Sequence, residues 1–302
     1  MSRRLCTYSG GCEMRMSAKP TTRASSLAAD SYGPLSSLLL LSPFLLLLLA
    51  AFVYPVGKLL LTSVFSPGWT FEHYQHVASG PYARVFVRTF VIALTVAGIA
   101  GVLGYPVAWL LTRVKGKTAF LVTACILIPM WTSVLVRSYA WIVLLQRNGI
   151  VNDLLLGTGL IDEPLKLIYN QGAVIMAMVH VLLPYMILPV YGALKAIPVD
   201  LSRASSNLGA SSLRTFITVM LPLSMPGVYA GSLIVFVLAL GFYVTPALVG
   251  GPSTLLVATL IGQQVTQTFN WPFAAALSTL LLSATVAVTV VFRRFMSFSG
   301  RL

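Results

Sequence analysis

The sequence predicts an all-α membrane protein with six transmembrane helices and both termini on the cytoplasmic side. Three observations carry that prediction. First, 57% of the 302 residues are apolar and only 9% are charged, against about a quarter charged in ordinary soluble domains. Such a chain cannot cover its surface with polar groups, which excludes a soluble globular enzyme and a disordered chain alike. Second, the apolar residues fall into long, separate runs. The leucine runs 38–41 and 45–49 do not alternate, as the strands of a membrane β-barrel would. Third, the cations lie in short pieces between the runs, which is the topology signal of a polytopic protein. A net charge of +13 therefore does not mark a nucleic-acid binder, which gathers its cations on one face.

Taken in order, residues 1–33 are polar and basic and are expected to form a disordered cytoplasmic tail; residues 34–302 are expected to form the transmembrane domain, with a cytoplasmic loop at 195–225. Spans are expected at 36–62, 88–112, 118–145, 173–194, 226–249 and 272–292, each long enough to cross about 30 Å of hydrocarbon. The first is expected to stay uncleaved, its apolar run being longer than that of a signal peptide. With the N-terminus inside, most of the 20 cations fall on inner segments and the acids lean outward, as the positive-inside rule requires.

The connections are informative. The outer segment 63–87 carries Trp69, Phe71, Tyr74 and Tyr82, suited to the headgroup level, with a turn at Pro67-Gly68. In the outer segment 146–172, Asn148-Gly149 signals a turn, and the run 150–156 before Gly157 a short surface helix. Cys6, Cys12 and Cys125 offer neither an outer disulfide nor metal-ligand spacing.

Some chemistry is missing. No acid lies within a span, although ion-coupled transporters usually need one. His180 is the one buried titratable group expected in the spans, a candidate relay or a hydrogen-bonded packing residue. Gly116-Lys117-Thr118 imitates the end of a phosphate-binding loop, but the pattern needs glycine where Leu111 stands. No cofactor is expected on this chain, and energy for active transport would come from a partner. A secondary transporter or channel working without an ATPase is the alternative.

The cytoplasmic segment 195–225 is the most telling part. Asp200 can cap a helix in which Leu201, Ala204, Ser205 and Leu208 share one face. Gly209 ends it as a left-handed cap before Ala210. Ser211 or Ser212 can cap a second helix from Leu213, which Pro222 stops or kinks before the fifth span. The first helix offers a small apolar surface for docking.

This segment resembles the EAA loop of binding-protein-dependent ABC transporter permeases with a MetI-like transmembrane domain. That pattern reads E-A-A, three residues, G, nine residues, I-x-L-P. Here Arg203-Ala204-Ser205 stands at E-A-A, Gly209 at the glycine and Val219-Met220-Leu221-Pro222 at the end. Arg203 departs from Glu and Ser205 from the second Ala. Segments 128–149 and 241–252 are similar to the spermidine/putrescine branch, and the likeness covers about 85–295.

The resemblance implies an inner-membrane importer subunit and an ABC importer permease fold. It also implies partners: a second permease, two ATPase subunits that use the ATP, and a periplasmic solute-binding protein that delivers a small hydrophilic solute such as a polyamine. Coupling would rest on Leu201, Arg203, Ala204, Ser205, Leu208, Gly209, Ala210 and Pro222.

Candidate pathway residues follow from the spans themselves. Arg137, Tyr139 and Trp141 lie near the outer end of span three, where an arginine must snorkel or pair. Tyr243 could face a cation with its ring. Pro106, Pro129, Pro184, Pro189 and Pro246 interrupt spans and free backbone carbonyls. The small residues Ala97, Ala100, Gly101 and Gly104 offer close helix contact, within the chain or with a partner permease.

Overall fold

A computed structural model describes residues 34–65, 68–78 and 80–299. The tail 1–33, with Cys6 and Cys12, and Pro67 of the expected turn lie outside the described residues. Nearly all the described residues are helical. Among the described residues, five helices are long and apolar enough to cross a membrane, or six if a sharply bent helix pair counts as one span.

The chain divides into two compact units, Met1–Tyr54 and Pro55–Leu302. The first contains α1 (Pro34–Leu48) and a π-turn at Leu49–Val53, where the Tyr54 amide donates to the Leu49 carbonyl. Its leucines are exposed, Leu39 by 75%, as befits a helix solvated by lipid.

The second unit opens with the body of α2 (Tyr54–Val64) and continues with α3 (Glu72–Ala78) and α4 (Gly80–Arg113). Helix α4 starts well before the expected residue 88. Tyr82, Val85 and Phe86 bury themselves with Val77, Phe273 and Leu277, and that packing extends the helix outward. Then come α5 (Gly116–Trp131), α6 (Val134–Leu145), α7 (Ile150–Gly157) and α8 (Gln171–Ala196). Next come the short helices α9 (Val199–Asn207) and α10 (Ser212–Thr215), followed by α11 (Leu221–Leu240), α12 (Val244–Val249), α13 (Val257–Thr266) and α14 (Trp271–Ser299).

Two expected spans are corrected. The third is not continuous over 118–145. It breaks at Thr132-Ser133, with 101° between Gly116–Trp131 and Val134–Gly157. Pro129 removes a backbone donor near the end of α5, and Ser133 caps α6 by accepting from the Leu135 amide at 3.3 Å. The fifth span does not run over 226–249. It occupies Ser212–Leu240, and the chain breaks at Gly241–Tyr243 before the separate α12.

Pro222 does not stop the helix either. A π-turn at Phe216–Met220 precedes it, and the Leu221 amide reaches back to the Phe216 carbonyl. This wider turn absorbs the register at which proline lacks a donor and would crowd the carbonyl four residues back. The π-turn before Tyr54-Pro55 repeats the solution.

The core lies between α4, α8 and α11. Met186 of α8 is fully buried. A β-carbon added at Gly104 of α4 would stand 3.0 Å from Met186 Cγ. One added at Gly227 of α11 would stand 2.4 Å from Ala193 Cβ. Glycine thus sets how closely these helices approach, and the small-residue face of span two packs within the chain. Tyr105 and Ser224 link α4 to α11 through hydroxyls 2.9 Å apart.

Candidate coupling and translocation sites

Helix α9 begins two residues earlier than expected. Pro198, not Asp200, precedes its first residue, so Asp200 stands in the first turn, where its charge complements the helix dipole. Asp200 also meets Arg203 at 3.7 Å, both side chains largely exposed, a pair of little energetic weight.

The helix ends in a Schellman motif. The Gly209 amide donates to Ser206 O at 3.0 Å and the Ala210 amide to Ser205 O at 3.1 Å. Gly209 has φ +81°, the left-handed conformation that glycine adopts without a Cβ penalty. Ser211 then caps α10, accepting from the Arg214 amide at 3.3 Å. Ser205 and the buried Thr215 join the two helices through hydroxyls 2.9 Å apart. Ser205, a departure from the EAA pattern, therefore has a structural use here.

No residue of α9 is buried. Leu201 and Leu208 are exposed, Leu208 by 88%, and Ala204 is exposed beside them. Pro222 lies at the start of α11, beyond the loop itself. The motif folds as a mostly polar helix with two exposed leucines, ended by a glycine bend.

The pathway candidates gather on three elements. Trp141 of α6 donates its indole N–H to His180 Nδ1 on α8 at 3.3 Å, with the rings edge to face. His180, expected to be buried, is exposed in this chain. Burial there would require a neighbour that α8 does not find within its own fold.

Arg137 lies within electrostatic reach of Tyr185 and His180. Its Nε and Nη1 are buried and have no acceptor among the described residues. Tyr139 is exposed and joins none of these contacts. Ser138, which sequence reasoning missed, meets Thr245 of α12 at 2.9 Å in a buried contact, placing Pro246 and Tyr243 beside α6. Nothing in the sequence marks this serine and threonine as partners across 107 positions. Gly262 of α13 was also missed: a β-carbon there would stand 2.5 Å from the Tyr243 ring.

Among the described residues, no group of three or more His, Cys, Asp or Glu could hold a metal ion. The projecting helix, the glycine bend and the bundle of apolar spans are transport machinery in outline. The profile of the family described as "Binding-protein-dependent transport system inner membrane component" matches residues 100–297. The chain belongs to this family.

Among similar proteins, the spermidine/putrescine transport system permease protein PotB of Escherichia coli K12 is 36% identical over 213 residues, 70% of this chain and 78% of PotB. The inner membrane ABC transporter permease protein YdcU of the same strain is 34% identical over 206 residues, 64% of this chain and 65% of YdcU. A solved bacterial ABC transporter that imports the acidic polysaccharide alginate aligns with TM-score 0.67 at 17% identity, over 89% of this chain and 96% of that one. A chain of the inward-facing MetNI methionine ABC transporter aligns with TM-score 0.57 at 19% identity, over 72% of this chain and 95% of that one. These two show the fold.

As a family member, the chain is a multi-pass inner-membrane protein and a non-catalytic permease subunit of an ABC importer. The ATP is used by a partner ATPase.

Proposed function

We propose that the chain is one of two permease subunits, in a mixed pair, that carry a polyamine such as spermidine or putrescine across the inner membrane. Two ATPase subunits dock from the cytoplasm, each receiving a coupling helix, which in this chain is α9. A periplasmic binding protein delivers solute to the outer segments 63–87 and 146–172. The bent pair α5–α6 counts as one span, giving six spans with both termini inside. The polycation reading rests on the likeness to PotB.

The observation that carries the coupling assignment is α9 itself. It has no buried residue, it ends on a fixed glycine bend, and it presents Leu201 and Leu208 outward. Exposed leucines on an otherwise polar helix with no buried face suit a docking surface. Pushed by ATPase closure, α9 transmits motion through the Ser205–Thr215 contact and α10 into α11, which packs on α4 and α8. The movement is a rigid-body switch between inward-open and outward-open states.

The pathway is assigned to the faces of α6, α8 and α12. Arg137 with its free donors, the Trp141–His180 pair, Tyr139, Tyr243 and Pro246 lie on or beside these elements. Aromatic rings suit a passing ammonium. Arg137 repels one, so it bounds the route rather than binding the solute.

Co-purification from detergent tests the coupling assignment. The wild-type chain is expected to retain an ATPase subunit, and Leu208→Glu to lose it. Leu208 touches so little of its own chain that the variant should insert and fold normally. If Leu208→Glu retains the ATPase at wild-type level, α9 is not the docking helix. Uptake of labelled putrescine and spermidine by cells expressing the importer tests the solute.

A further inference from the structure

Two cavities at the inner ends of the spans take no part in the reading above. The first, of about 440 Å³, lies between the last turn of α4, the last turn of α8 and the start of α9. Arg113, Lys195, Thr112, Tyr191 and Ser202 line it, and no acid does. Arg113 sits over the Trp109 ring at 5.0 Å, and Lys195 over Tyr191 at 5.6 Å. Among the described residues the Arg113 guanidinium otherwise meets a weak acceptor, Met220 Sδ at 3.9 Å. The nearest acid in sequence to Lys195, Asp200, meets Arg203 instead.

The second cavity, about 370 Å³, is walled by Tyr105, Pro106, Trp109, Leu213 and Phe216 with Ser212. Trp109 separates the two. It carries Arg113 on its face, meets Phe216 edge to face at 6.0 Å, and its buried indole N–H finds no acceptor in the chain. The α4 residues of the apolar cavity, Tyr105, Pro106 and Trp109, lie about one to two helical turns before Arg113.

We propose that this pair of cavities binds one anionic phospholipid, its phosphate held by Arg113 and Lys195 and an acyl chain lying in the groove beside Trp109 and Phe216. Charge complementarity chooses the occupant. Two cations without a carboxylate stand where the helices leave the hydrocarbon, and an apolar groove lies directly beneath them. Basic pockets between helices on the cytoplasmic face suit anionic headgroups. A free phosphate would satisfy the cations and leave the groove empty. The cavity borders the root of α9, so a bound lipid would brace the coupling helix against the span ends. The cytoplasmic placement rests on the orientation proposed above; the binding itself does not.

The full chain, purified in neutral detergent, is incubated with dioleoylphosphatidylglycerol or dioleoylphosphatidylcholine, and retained lipid is counted by native mass spectrometry. Phosphatidylglycerol is expected to be retained at least tenfold over phosphatidylcholine. Arg113→Gln with Lys195→Gln should lower that retention about tenfold. Lys115→Gln with Lys117→Gln removes the same charge from a neighbouring turn outside the cavity and should leave retention unchanged. Arg113→Lys with Lys195→Arg keeps the charge and should preserve it, separating lost binding from lost folding. Equal retention of both lipids, or equal loss in both Gln pairs, overturns the site. Displacement of phosphatidylglycerol by millimolar inorganic phosphate shows a soluble-anion site and overturns the lipid reading. No ATPase, solute or orientation enters this measurement, so failure of the permease reading would show in co-purification and not here.

Discussion

Gly209 holds φ +81° with open space around its α-carbon. A side chain there would meet no atom; the cost is conformational alone. Gly209→Ala should therefore cost only about 1 kcal/mol of local stability, leaving the ATPase bound but weakly coupled. Gly209→Pro cannot reach that φ and removes the amide that donates to Ser206. It is expected to uncouple transport while the protein still inserts at wild-type level. Normal uptake by Gly209→Pro would refute the bend as a coupling device. Arg203 poses a question of charge. It replaces the glutamate of the EAA pattern, and its one ion pair is exposed and weak. The ATPase cleft that receives it is expected to carry an acid, so Arg203→Glu should reduce co-purified ATPase about tenfold; unchanged recovery would mean that the charge is not read. Arg137 belongs to the same scale. Arg137→Gln should slow uptake without changing the amount of ATPase bound, as measured on the same membranes.

Helix packing fixes what single residues cannot. The approach of α11 to α8 depends on Gly227, where an added β-carbon would stand 2.7 Å from the Pro189 carbonyl oxygen as well as against Ala193. Backbone cannot yield as a flexible side chain does, so Gly227→Ala must push the helices apart. The expected loss is about 1–3 kcal/mol, readable as a lower thermal unfolding midpoint in detergent. An unchanged midpoint would place the α8–α11 contact elsewhere. The two π-turns make a related point. Each stands two positions before a proline, at Tyr54-Pro55 and Leu221-Pro222. Sequence reading expected Pro222 to stop or kink the helix because it counted the missing hydrogen bond and not the π-turn that precedes it.

On the scale of the whole chain, inner and outer segments are assigned by charge bias, and the bent pair decides the parity of the spans. If α5 and α6 form one broken span, a cysteine placed at Leu208 is labelled from the cytoplasm and one at Leu160 from the periplasm. Swapped labelling, Leu160 from the cytoplasm and Leu208 from the periplasm, would make the pair a re-entrant loop and reverse the topology of everything after it. Both positions are highly exposed, so neither substitution disturbs packing.

The sequence by itself determined the class of the molecule and the helix–bend–helix geometry around Gly209. Hydrophobic runs longer than a soluble helix needs, cations on alternate connections, and an EAA-like spacing around Gly209 are local signals, and local physics holds at those places. Gly209 ends its helix because no other residue accepts that φ so cheaply, whatever surrounds it. The break at Thr132-Ser133, the early start of α4 and the partnership of Ser138 with Thr245 were decided by tertiary structure. Each depends on which distant helix lies alongside, and no local pattern encodes that. The same reason explains the pathway residues. Arg137, Trp141 and His180 stood out singly as polar groups in apolar runs, but only the packing of α6 on α8 brought them together, and only it left the Arg137 donors without an acceptor.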